Sequence, residues 1–231
     1  MSKSLQLNGG NWKCSELGES ALLLEPEISV PVEIIHQATG ILEQANLTGV
    51  IDLIPAYKSI ALLYDDILTE ITEEIEKIQL AVSNIKEINI SPKTHTVPVC
   101  YHLGLDWQEV EKFTSQEKED IIRKHLNAEY KVAMMGFIPG FVYLEGLDES
   151  IACPRKENPR MQIPAGSVGI GGNQAGIYSL ESPGGWQIIG RTPLSFFNSQ
   201  TNPPTNINPG DRLVFEQISE AEFHKMKEAS S

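Results

Sequence analysis

The stretch from Gly136 to Thr192 limits the fold of this chain more than any other. It opens GFIPGFVYLEGL, runs through CPRKENPRMQIPAGSVGIGG and closes NQAGIYSLESPGGWQIIGRT. Eleven of the eighteen glycines lie inside it, and six of the fourteen prolines when Pro193 is included. A helix interior is destabilised by about 1 kcal/mol per glycine and about 3 kcal/mol per proline, so no long helix fits here. Short strands joined by tight turns remain, with glycine supplying positive φ and proline presetting φ. The irregular spacing separates the stretch from collagen and from low-complexity linkers. Between the turns, Phe137, Phe141, Tyr143, Leu147, Ile163, Val168, Ile170, Ile177, Tyr178, Trp186, Ile188 and Ile189 supply a compact β core. Gly184 and Gly185, after Pro183, are expected at backbone angles closed to other residues.

Ahead of it the pattern changes. Residues 1–19 read as an N-terminal extension whose Asn8-Gly9-Gly10-Asn11 segment is turn material. Ala21–Leu24 is a short apolar strand. Pro31 suits a first helical turn, and Val32, Ile35, Ala38, Leu42 and Ala45 follow at helical spacing. Gly49–Pro55 and Ser59–Tyr64 read as strands. Ile67, Ile71, Ile75, Ile78, Val82 and Ile85 mark the clearest helix, with Glu70, Glu73, Glu74 and Glu76 on its solvated side. This β-α-β-β-α order, with a further strand available at Thr96–Tyr101, predicts a ferredoxin-like α+β domain over residues 20–95.

Ser91-Pro92-Lys93-Thr94 marks the break to a second domain over 96–231, with the separation expected in the span Glu87–Thr96. Trp107–Leu126 predicts two short helices, the second capped at Ser115. Tyr130–Met135 is a strand feeding the glycine-proline stretch. Pro209-Gly210-Asp211 turns into a last strand at Arg212–Gln217, and Ser219–Ala229 reads as a terminal helix. Many short strands punctuated by turn signals predict a barrel or sandwich.

A net charge of −13 and a pI near 4.8 argue against wrapping nucleic acid or binding an anionic membrane. The three cysteines, Cys14, Cys100 and Cys153, form no C-x-x-C pair and suggest no disulfide framework. No apolar run reaches membrane-spanning length and the N-terminus lacks a signal-like core, so a cytoplasmic protein is expected.

The chemistry narrows by elimination. No phosphate loop of the G-x-x-x-x-G-K-[ST] type occurs, and Gly169-x-Gly171-Gly172 has no lysine after it. Ser167 lies in AGSVG, which is not a nucleophile elbow. The five histidines are scattered, so no metal site is expected. What remains is a locally positive segment in an acidic chain. Between Ser150 and Gln200 stand Arg155, Lys156, Arg160 and Arg191 against only Glu157 and Glu181. A guanidinium is a fixed fork suited to a carboxylate or phosphate, although each arginine would equally tie down loops through backbone carbonyls. Gln174, Tyr178 and Ser182 are candidates for neutral hydrogen bonds to an amide. His125, Glu145 and Asp148 are the nearest candidates for proton transfer, with a helix-end packing role as the alternative for His125.

Gly136-Phe137, Pro139-Gly140-Phe141, Tyr143-Leu144, Pro154-Arg155, Pro159-Arg160, Pro164-Ala165-Gly166-Ser167-Val168, Gly176-Ile177-Tyr178, Ser182-Pro183-Gly184-Gly185-Trp186 and Ile189-Gly190-Arg191-Thr192-Pro193 follow one another in this order. In this series the chain resembles the B component of the three-component bacterial 5-oxoprolinase, a family also described as KipI-type sensor-kinase inhibitors or allophanate hydrolase subunit 1. The likeness runs more loosely from Leu17 to Glu216. It implies a cyclophilin-like β-barrel behind the ferredoxin-like domain. It also implies a role in opening 5-oxo-L-proline to L-glutamate at the expense of ATP, with the A and C components of 5-oxoprolinase as partners and the site shared with the C component. On that resemblance His125, Arg155 and Arg160 are expected to be catalytic, and Gln174, Tyr178, Ser182 and Arg191 to bind substrate. The alternative it leaves open is an inhibitor gripping the dimerisation domain of a sensor histidine kinase. Exposed Phe137, Phe141 and Trp186 would favour that alternative; a pocket lined by Arg155, Arg160 and Gln174 would favour the enzyme. The chain departs from the family pattern at His102-Leu103, Ala175 and Ser179.

Overall fold

A computed structural model of the chain describes residues 3–85 and 91–229. It divides into two units, residues 1–91 and 92–231. The part of the expected separation between Glu87 and Ile90 lies outside the described residues.

The first unit begins with a hairpin, β1 (Lys3–Leu7) and β2 (Gly10–Glu16). Asn8 and Gly9 connect the strands at φ 49° and 74°, the positive angles that a two-residue loop needs to match strand twist. Leu5 pairs with Trp12 across the hairpin, and Leu5, Leu7, Trp12 and Cys14 are buried. Residues 3–16 therefore belong to the sheet and are not an extension. Their period-2 apolar alternation needs a buried face, and the hairpin supplies it.

β3 (Ala21–Pro26), α1 (Val32–Ala45), β4 (Val50–Pro55), β5 (Ile60–Tyr64) and α2 (Ile71–Val82) follow. The strand order is β1-β2-β3-β5-β4, and β5 runs antiparallel to both β3 and β4. Ile35, Ala38 and Leu42 of α1 and Ile75 and Ile78 of α2 pack into one core with Leu22, Leu24, Ile60 and Leu62. The second helix is shorter than its isoleucine pattern predicts: Ile67 lies before it, 59% exposed. Glu74 is buried instead of solvated, and it accepts a hydrogen bond from Lys77 at 3.2 Å.

The second unit holds β6 (Thr94–Val99), α3 (Trp107–Thr114), α4 (Lys118–Asn127), β7 (Tyr130–Met135), β8 (Val142–Glu145), β9 (Arg160–Ile163), β10 (Ser167–Gly171), β11 (Gln174–Ile177), β12 (Ser182–Gly184), β13 (Gln187–Arg191), β14 (Arg212–Gln217) and α5 (Glu220–Ala229). The further strand expected for the first sheet is β6, and it belongs here, parallel to β14. Ser115 ends α3 at φ 55° and does not cap α4, which starts from Glu117.

Seven strands in the order β13-β10-β11-β8-β7-β14-β6 make one sheet. Its two edges meet just past β6. Cys100 N donates to Arg191 O at 2.8 Å, and Arg191 N donates to Cys100 O at 3.1 Å. The sheet is thus a nearly closed barrel whose interior is filled by side chains, among them Val99, Val132, Leu144, Val168, Ile170 and Ile189. Val110 of α3 and Ile121 and Ile122 of α4 belong to the same core. β9 and β12 form a separate two-stranded ribbon. Among the described residues no helix is long and apolar enough to cross a membrane.

Candidate functional site

A cleft of about 370 Å³ opens beside the β9–β12 ribbon. It is lined by Phe137 and Tyr143, by Arg155, Lys156 and Pro159 of the loop before β9, by Tyr178 after β11, and by the turn Pro183–Trp186. The floor is an aromatic cluster. Phe141 meets Tyr178 edge-on at 4.9 Å and Trp186 at 5.6 Å, while Tyr143 lies 5.9 Å from Trp186. The Trp186 indole packs closely over β10 and β11 because glycines leave room for it. A Cβ on Gly171 would stand 2.7 Å from the indole, and one on Gly176 would stand 3.0 Å from both Phe141 and Trp186.

At the lip, Phe137 is 64% exposed and held at φ 70°, a left-handed angle costly for a bulky side chain. The Arg155 guanidinium carbon stands 5.1 Å from the Trp186 ring centroid, within cation–π range. Arg155 has no ion pair among the described residues. Burial pushes the Tyr178 phenol up to about 12, only partly offset by a hydrogen bond from the Trp186 backbone and by the Arg155 charge. Tyr143 is raised by burial too, with Arg155 pulling the other way. Both phenols stay protonated at neutral pH.

Asp106 lies beside the cleft, at the start of α3, and is 3% exposed. Its carboxylate accepts from both terminal nitrogens of Arg160 (Nη1 at 2.7 Å), from Lys156 Nζ at 3.0 Å and from Ile188 N at 2.7 Å. Burial alone would raise its pKa; the bonds from Arg160, Ile188 and Lys156 outweigh burial and hold it below the usual carboxylate range. Lys156 also reaches Glu109 at 2.5 Å.

The cleft therefore brings together Arg155 and Tyr178 of the residues expected from the sequence. Arg160 lies nearby, but the anion it grips is the chain's own Asp106. His125 is fully buried in the barrel core, against Tyr101, Tyr130 and Phe215. The structure gives it a packing position in that core. Gln174 sits at the β10–β11 turn, paired with Gly171. Ser182 is buried on β12, facing Ile163, and Arg191 lies at the barrel seam, where its Nε donates to Ala165 O at 2.8 Å. None of these three lines the cleft. Sequence reasoning missed Asp106 altogether and left Lys156 without a role, although Lys156 stands between Arg155 and Arg160 in the same proline-bracketed loop. Chemically the cleft offers a free guanidinium, protonated phenols and backbone groups against an aromatic floor. Among the described residues no carboxylate or imidazole lines it.

The family model for the carboxyltransferase domain, subdomain C and D, matches residues 12–207, which places the chain in the carboxyltransferase-domain class. The B component of 5-oxoprolinase from Bacillus subtilis (strain 168) is 39% identical across 95% of this chain and 98% of that protein. The chain belongs to the family of 5-oxoprolinase B components. Among solved structures, the conserved uncharacterized protein PH0987 from Pyrococcus horikoshii matches at 38% identity and a TM-score of 0.55, over 91% of this chain and 99% of that one. The urea amidolyase of K. lactis shares the fold, with a TM-score of 0.76 at 17% identity, over 98% of this chain and 16% of that protein. The kinase-inhibitor alternative is not favoured. Phe141 and Trp186 are only 1% and 5% exposed, so Phe137 alone of the three aromatics is available on the surface.

Proposed function

We propose that this chain is the B component of an ATP-dependent 5-oxoprolinase that opens 5-oxo-L-proline to L-glutamate, at a site shared with the C component and with the A component as a further partner. The observation that carries this reading is the 39% identity with the Bacillus subtilis protein over nearly the whole of both chains. The cleft supports it. A small lactam carrying one carboxylate matches one free guanidinium over an aromatic floor, with Arg155 on the carboxylate and the Tyr178 and Tyr143 phenols within the same cavity.

A lactam carbonyl is unreactive. Phosphorylating its oxygen with ATP makes a good leaving group for attack by water. The groups that hold ATP and accept the proton are assigned to the partner proteins, because this chain has no phosphate loop and, among the described residues, no carboxylate or imidazole lines its cleft. In this reading the first unit is a ferredoxin-like variant, with β2 in the place of that fold's fourth strand, and the barrel is cyclophilin-like. The complex works in the cytoplasm, in keeping with three buried, unbridged cysteines.

The test is reconstitution with the cognate A and C components, following glutamate and ADP release from 5-oxoproline and ATP. Turnover is expected only from the full mixture. Robust turnover by this chain alone, or none from a correctly assembled mixture, overturns the proposal.

A further inference from the structure

We infer that Asp106 is a positioning residue for the cleft: by gripping Lys156 and Arg160, its carboxylate sets the loop segment that presents Arg155 over Trp186. Asp106 is itself fixed to the barrel wall. Leu105 N and Asp106 N both donate to Ile188 O, at 2.8 and 3.0 Å, and the carboxylate takes Ile188 N in return. The loop before β9 starts at Cys153, whose backbone forms an isolated β-bridge with Gly172, and runs to Arg160, the first residue of β9. In between, Lys156 N donates to Gly185 O at 2.6 Å, and Gln187 Nε2 donates to Pro154 O at 3.2 Å. The side-chain tethers to Asp106 leave from Lys156 and Arg160, which straddle the tip of the loop at Glu157–Pro159. Lys156 is also the immediate neighbour of Arg155.

The arrangement is electrostatic as well as mechanical. A buried carboxylate is costly unless paired, so the grip stabilises Asp106 while it immobilises the loop. Lys156 and Arg160 are balanced by Asp106 and Glu109, whereas Arg155, at the cleft, has no acidic partner among the described residues. The cleft is thereby set to receive a single negative charge.

The kinetic arm of the test rests on the lactam-opening reading; the proteolytic arm does not. In the full chain, Asp106→Asn is expected to speed native-state trypsin cleavage after Arg155, Lys156 and Arg160 by about tenfold relative to cleavage elsewhere, as local opening without global unfolding does. Should Asp106→Asn fail to fold, Lys156→Gln keeps Asp106 paired with Arg160 and releases one tether, and it is expected to speed cleavage after Arg155 in the same sense. In the reconstituted complex, Asp106→Asn is expected to raise KM for 5-oxoproline about tenfold with kcat changed less than about threefold. Combined with Arg155→Ala it should add no further loss, because the two act through one contact. An unchanged cleavage pattern, or losses that add to those of Arg155→Ala, overturns the inference. A wild-type complex with no lactam turnover counts against the functional reading alone, and the trypsin pattern still decides the role of Asp106.

Discussion

The Tyr101 hydroxyl and His125 Nδ1 lie 2.7 Å apart inside the barrel core, with neither residue exposed. Burial pushes the phenol well above its ordinary range and pulls the imidazole down to about 3. Both are neutral at physiological pH, so the hydroxyl donates and the ring accepts. The opposite ring nitrogen, Nε2, has no hydrogen-bond partner among the described residues.

A stability slope follows. In the unfolded chain His125 titrates near its ordinary 6.5, and in the folded chain near 3. Between those values the unfolded state binds the additional proton. The stability that a neutral His125 contributes is therefore complete above pH 6.5 and is lost as pH falls toward 3, at about 1.4 kcal/mol per pH unit. Urea unfolding of wild type and His125→Gln from neutral to mildly acidic pH measures this. The wild-type slope should exceed that of the variant; parallel lines would place the titration elsewhere.

Adjacent glycines should behave differently. Neither Gly184 nor Gly185 has a positive φ, so the backbone angles expected from the sequence are not the constraint. Space is. A Cβ on Gly184 would collide with the Tyr178 hydroxyl and stand 2.9 Å from Ile163 Cδ1, whereas one on Gly185 would meet nothing nearer than Lys156 O at 3.4 Å. Gly184→Ala should destabilise by about 1–3 kcal/mol through overpacking, and Gly185→Ala should stay within about 0.5 kcal/mol. Thermal melts of the two variants separate these outcomes, and equal effects would contradict the packing.

The residues that speak clearly in the sequence are those whose neighbours in the chain decide their place. Val32 to Ala45 form the helix that their spacing demands, and Tyr130–Met135 and Arg212–Gln217 form strands with the expected ends. The β1–β2 hairpin is legible as well, since Asn8-Gly9 stands between alternating apolar pairs, yet a glycine-rich turn so near a terminus reads as a loose end. The site is legible only in part. A positive loop on an acidic chain points to anion binding, and Arg155 keeps that possibility. The partner of Arg160 lies 54 positions away in sequence and becomes its neighbour only when the barrel closes. No local pattern announces Asp106. His125 reads as a functional histidine by type, and only the closed core shows it to be sealed.

Cutting the chain tests how the barrel begins. Lys93 N donates to Asp211 Oδ1 at 2.9 Å, and His95 Nε2 pairs with Asp211 Oδ2 at 2.8 Å. These bonds tie the start of β6 to β14. A fragment starting at Pro92 is expected to melt cooperatively on its own. One starting at Thr96 loses both bonds and leaves Asp211, 5% exposed, short of partners; it should be less stable by about 1–3 kcal/mol. Equal stability of the two fragments would show that the Asp211 contacts contribute nothing.

Arg155 and Arg160, five positions apart and each after a proline, should part company on mutation. Arg155 is exposed, stacked on Trp186 and without an acidic partner, so Arg155→Ala should alter stability by no more than about 0.5 kcal/mol. It should cost a charge-assisted hydrogen bond to the ligand of about 1.5–3 kcal/mol. That is roughly a tenfold to hundredfold loss in affinity. Arg160→Ala removes both guanidinium bonds from a carboxylate that is 1% exposed, leaving it only Lys156 and a backbone N–H. Its main effect should be a lower melting temperature, equivalent to about 1–3 kcal/mol. Parallel melting and lactam-hydrolysis measurements on each variant, reconstituted with the A and C components, give the answer. If Arg155→Ala melts early and keeps full activity per folded molecule, Arg155 is a loop anchor and the carboxylate of the ligand is held elsewhere.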